Sequence, residues 1–132
     1  MDNKAIIKVL EDNELGDIEQ IDYKEEALVL RLFYDFDEAA IEAAKAYAND
    51  ESSEKEGSEE WQYEYFLPYL NDLAVDEVGE IIEEIMEDLS VDAQFVSYEL
   101  DSEEYSYNEF IAAFFPKGKG IEIEQVLEEL KL

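Results

Sequence analysis

Between Ala27 and Phe36 apolar side chains recur at every second residue, a spacing that a helix cannot gather on one face. Leu28, Leu30, Leu32, Tyr34 and Phe36 fall on one side of a strand, and Val29, Arg31, Phe33 and Asp35 fall on the other. This is the clearest strand in the chain. Leu15–Tyr23 precedes it with Ile18, Ile21 and Tyr23, then the polar Lys24-Glu25-Glu26, as expected of a strand entering a hairpin. Residues 3–12 place Ile6, Val9 and Leu10 on one side of a short amphipathic helix.

After the strand, Asp37 is placed to cap a helix over the Ala-rich run Glu38–Ala48. Asn49–Glu60 holds six acids, one Lys and no apolar residue, and is expected to be a flexible acidic loop. Trp61–Leu73 is expected to be helical in two pieces, because Pro68 breaks a helix interior but suits a first turn. Val75–Leu89 has the strongest helical period. Ala93–Leu100 and Tyr105–Phe115 are expected as strands joined through Asp101–Glu104. Pro116–Gly120 is a loop, and Glu122–Leu130 is a final helix with Ile123, Val126, Leu127 and Leu130 on one face.

The chain therefore falls in the α+β class, as a mainly antiparallel sheet of about four strands packed with helices. Its two halves echo one another, which points to an α-β-β-α duplication. With 132 residues, a single domain over residues 1–132 is the default. The hydrophobic fraction of 47% supplies a core that a disordered acidic chain would lack.

Charge dominates what such a domain can meet. There are 38 Asp and Glu against 9 Lys and Arg, a net charge of −29. Such a surface repels nucleic acid and anionic membranes and attracts basic proteins and cations. No apolar run approaches the ~20 residues of a membrane span, and the first residues lack the basic and apolar regions of a secretory signal. A cytoplasmic location is the default expectation. Adaptation to high salt is a competing source of acidity, but Glu far outnumbers Asp here and large apolar residues abound.

The chain contains no His and no Cys, which removes the Ser-His-acid triad, the Cys-His pair and thiolate or imidazole metal sites. Catalysis by paired carboxylates stays chemically open, yet among 38 acids no pair stands out, and no catalytic residue is assigned. No glycine-rich cofactor fingerprint is present. Lys117-Gly118-Lys119-Gly120 lacks the Walker spacing and reads as a tight turn. The acidic groupings Asp12, Glu14, Asp17 and Asp35, Asp37 do not match an EF-hand loop, so neither a metal nor a cofactor is assigned. Arg31, the sole arginine, is expected to pair with a nearby carboxylate.

Two features carry the functional expectation. On the helix Val75–Leu89, Glu77, Glu80, Glu84 and Glu87 make a stripe of one carboxylate per turn, ~5 Å apart. Its like-charge i,i+4 neighbours have no Lys on the helix to offset them. The second feature is aromatic. Trp61, Tyr63, Tyr65, Phe66 and Tyr69 lie within nine residues, too many directions for one core face to bury, and Trp61, Tyr63 and Tyr69 are candidate contacts. The expected function is that of an acidic interaction protein binding a basic protein surface. An inhibitor, an immunity-type partner, a chaperone-like protein and a nucleic-acid mimic all fit that description. The alternative is a divalent-cation-binding protein or a small carboxylate-based enzyme.

Overall fold

The computed structural model describes residues 1–24 and 26–132. Helix α1 (Asn3–Asp12) opens on Asp2, whose Oδ1 accepts a hydrogen bond from the Ala5 amide at 3.1 Å. Strand β1 (Gly16–Ile21) follows and pairs antiparallel with β2 (Leu28–Asp35). The pairing register shifts between Gly16 and Glu19, where Asp17 takes a left-handed φ of 48°, so β1 carries a bulge. Helix α2 (Glu38–Glu51) is capped as expected, with Asp37 Oδ1 accepting from the Ala40 amide at 2.8 Å.

Two boundaries differ from the sequence expectation. The segment 49–60 is irregular only over residues 52–58, because α2 continues to Glu51 and the next helix starts at Glu59. Glu is a good helix former, so an acidic run need not be a loop. Asn49 ties the two ends together. Its Oδ1 accepts from the Trp61 indole N–H at 3.0 Å, and its Nδ2 donates to Glu56 at 3.1 Å.

The second difference is at Pro68. Trp61–Phe66 forms a π-helical turn that leads without a break into α3 (Leu67–Leu89), so Val75–Leu89 is not a separate helix. A proline ring crowds the carbonyl four residues back, here that of Glu64. The wider turn, in which the Leu67 amide donates to the Gln62 carbonyl, makes room for it. Thus Pro68 redirects the helix without ending it.

Strands β3 (Val91–Ser97) and β4 (Tyr107–Pro116) complete an antiparallel sheet in the order β1-β2-β4-β3. Both are shorter toward their connection than expected. Residues 98–106 link them, with Asp101 closing a turn by accepting from Glu103 and Glu104 amides. Helix α4 (Ile123–Leu130) ends the chain. The described residues thus form an α+β fold with four α-helices and four strands. None of those helices is long and apolar enough to cross a membrane.

The alternation in β2 explains the layering. Leu28, Leu30 and Leu32 sit opposite Phe114, Ala112 and Phe110 of β4, and these six join the large core beneath α1, α2 and α3. Ala44 and Ala48, both fully buried, let α2 approach closely. Val29, Ile111 and Ala113 point the other way and pack against Ile123 and Val126 of α4. Strand order 1-2-4-3 is unchanged when the two halves are exchanged, but the helices break that symmetry. Helix α2 shares the large core, whereas its counterpart α4 lies on the opposite face.

Asn108 is fully buried on β4 and joins three elements. Its Nδ2 donates to the carbonyls of Tyr98 (3.1 Å) and Glu109 (3.2 Å), and its Oδ1 accepts from Asn71 of α3 at 2.9 Å. A buried acceptor stripped of its donor costs more than the bond itself contributes. Asn71→Ala should therefore cost about 1–3 kcal/mol in urea unfolding. The double variant Asn71→Ala/Asn108→Ala should cost less than the sum of the single ones, because the orphaned amide is then gone as well.

Candidate functional site

Three elements converge beside the outward face of α3. Chain leaving α1 reverses at Glu14, which takes a left-handed φ of 63°. Strand β2 ends there at Asp35, and Asp37 caps α2 two residues later. The third side is α3 itself, where Glu77, Glu80 and Glu84 recur at helical spacing. Together they enclose a cleft of about 430 Å³ lined by Glu14, Asp35, Asp37, Glu77, Glu80 and Glu84. Leu15, Tyr34 and Ile81 supply its apolar surface, and no Lys or Arg lines it. Gly16 lies against the cleft wall, where a Cβ would stand 3.4 Å from Asp35 Oδ2.

Six carboxylates around one cleft, with no cation among its lining residues, hold a negative potential that solvent and salt only partly screen. Tyr34 registers it. Its hydroxyl is pushed up from the ordinary tyrosine pKa, first by burial and then by the charges of Glu77 and Asp37. At neutral pH it is a protonated phenol at an acidic cleft, able to donate or to accept.

Of the expected stripe, Glu77, Glu80 and Glu84 come together here with acids from α1 and β2. Glu87 is exposed on the following turn and does not line the cleft. The aromatic candidates are dispersed. Trp61 is 4% exposed, stacks on Phe66 at 4.9 Å, and gives its N–H to Asn49, so it belongs to the core. Tyr69 is half-buried with its ring 5.2 Å from that of Tyr47 on α2. It precedes Glu77 by two helical turns, about 12 Å, along the same side of α3. Tyr63 is 53% exposed and lines a different pocket of about 300 Å³, toward Ser97–Leu100.

Glu14, Asp35 and Asp37 stand in the sequence only in scattered acidic groupings, and no local signal marks Tyr34. Their shared site depends on the β1–β2 pairing and the packing of α1 on α3, which no local spacing reveals. Among the described residues no group of three or more acids is arranged to hold a metal ion. Arg31 is engaged, with its guanidinium 3.2 Å from Glu19 Oε2 and 2.9 Å from Glu109 Oε2 on the neighbouring strands. Comparison with protein-family models, curated proteins and solved structures finds no match to this chain.

Tyrosine titration tests the field of the cleft. Glu77→Gln should lower the midpoint of Tyr34, followed by NMR of its ring, toward about 10. Glu129→Gln is the contrasting case. Tyr23 donates a hydrogen bond to Glu129 and is pushed up to about 12, so that substitution should lower Tyr23 and leave Tyr34 unmoved. Both phenols hold their protons more tightly when folded. Their contribution to stability is therefore complete below about pH 10 and is lost as pH rises through the raised values.

Proposed function

We propose that this protein binds a basic surface of another protein through the cleft between α1, the end of β2 and α3. The observation that carries this reading is the set of six uncompensated carboxylates from separate elements around one concave site. A solvated helix face would spread its charge over a convex surface. A concave arrangement of like charge focuses the field and suits a projecting Lys or Arg.

An ammonium or guanidinium entering the cleft would relieve the mutual repulsion of the lining acids. The gain on binding includes that relief as well as the new contacts. Tyr69 on α3, two turns before Glu77, and the Tyr47 ring of α2 packed against it offer apolar area outside the cleft. A net charge of −29 steers such a partner and makes association fast and salt-sensitive. The same charge opposes direct binding to nucleic acid.

Replacing Glu80 and Glu84 by Lys separates this function from stability. Relief of like-charge pairs on α3 should raise stability, by roughly 0.2–0.5 kcal/mol per pair. Affinity for the partner should fall by at least about tenfold. The measurement is capture from the native host's lysate on immobilised wild type and variant, eluted with a salt gradient. One basic protein, retained by the wild type and released early from the variant, is the expected result. The same set of proteins eluting at the same salt from both would overturn the proposal.

A further inference from the structure

The other flank of α3 presents a second surface with different chemistry. A groove of about 540 Å³ runs between α3 and β3, the edge strand of the sheet. Its floor is Val75, Ile82, Met86, Ala93 and Phe95, and all but Ile82 keep part of their surface open to solvent. Asp76, Glu80 and Glu83 form its rim, and all three are exposed. Gly79 faces the Phe95 ring across the groove, where a Cβ would stand at an ordinary contact distance of 3.6 Å.

The backbone beside this groove is unusual for a sheet edge. Tyr98 donates its amide to the Glu109 carbonyl, so Tyr98 points its main-chain groups at β4. By alternation Asp92, Gln94 and Val96 do the same, whereas Ala93, Phe95 and Ser97 turn theirs outward. Outside the sheet, no hydrogen bond among the described residues engages those outward main-chain groups. Free edges are commonly blunted by Lys, Pro or a bulge. The other edge, β1, has its bulge at Gly16–Glu19. Strand β3 has no Lys or Pro, and its seven pairs with β4 keep perfect register.

We propose that β3 accepts an extended basic segment of a partner protein as an added antiparallel strand, with alternate apolar side chains in the groove under α3. Residues opposite Ala93, Phe95 and Ser97 would satisfy the outward main-chain groups and lay their side chains on Phe95 and Met86. The intervening residues would project on the opposite face, where Asp92 lies. Charge selects the occupant. A second copy would bring another −29 to this edge, whereas a segment with Lys or Arg at the intervening positions sets them on the face of Asp92, where Glu122 adjoins the Ile123 amide that donates to Gln94. The proposal rests on the reading that the partner is basic but uses a site distinct from the cleft.

The probe is a nine-residue peptide alternating Lys with Val or Ile, titrated into the full-length protein. Two N-methylated forms keep its charge and remove main-chain donors, one at the apolar positions and one at the Lys positions. The form methylated at the apolar positions should lose at least about tenfold in affinity, and the other should bind as the parent does. Binding should also slow hydrogen exchange at the Ala93, Phe95 and Ser97 amides, whereas those of Asp92, Gln94 and Val96 are already protected by β4. Asp92→Lys/Glu122→Lys, on the face that the peptide's lysines occupy, should weaken binding. Glu77→Lys/Glu84→Lys, with the same change in charge, should weaken it much less and serves to test the cleft separately. Equal affinities for all three peptides, no new protection, or weakening by the cleft variant alone would overturn the proposal.

Discussion

The pairing of β2 with β4 is the contact on which the rest of the molecule depends. Both strands are apolar on both sides, and their register sets Leu28, Leu30 and Leu32 against Phe114, Ala112 and Phe110. One side of the pair seats α1, α2 and α3, and the other seats α4. Burial of these side chains must exceed the repulsion of a chain carrying −29, and that repulsion is spread over the outer faces of the helices. The charge can be so large because so little of it reaches the sheet. The four strands hold five acids, Asp17, Glu19, Asp35, Asp92 and Glu109, and the one arginine, Arg31, sits between two of them on the neighbouring strands.

That division explains what was legible in advance. Period-two alternation marked β2, and the Asp37 cap and the buried face of α3 followed from spacing alone. Pro68 stands in the first turn of α3, as its fixed φ suits, but the helix it begins runs on through Val75 to Leu89. Here the chain inserts a π turn ahead of the ring and continues for 23 residues as α3. A π turn has no composition of its own by which to recognise it. The acidic run before it is a loop over residues 52–58, and only its ends are helical, joined by the hydrogen bond from Trp61 to Asn49.

For the candidate site, the stripe on α3 was visible because it is local. The facing wall of the cleft was not. Glu14, Asp35 and Asp37 are brought to the stripe by a left-handed turn after α1 and by long-range strand pairing. The aromatic candidates are neighbours in sequence that the structure separates. Their closeness in sequence was real, but a π turn fans side chains differently from an α-helix. Trp61 was turned inward, Tyr63 toward β3 and Tyr69 toward α2.

Helix α3 thus divides two acidic surfaces of different make-up, a carboxylate-lined cleft on one flank and an apolar groove with an acidic rim on the other, with Glu80 bordering both. The unblunted edge of β3 would be a hazard on a neutral protein, since regular free strands add to one another. Net charge removes that hazard without a lysine, a proline or a bulge in the strand, because every copy repels every other. Repulsion of this kind is selective in a way that a bulge is not. It leaves the edge geometrically intact and closes it only to acidic chains. Acidity that costs the fold stability on α3 therefore does two things at once. It keeps the open strand from pairing with its own kind, and it leaves that strand open to a basic one.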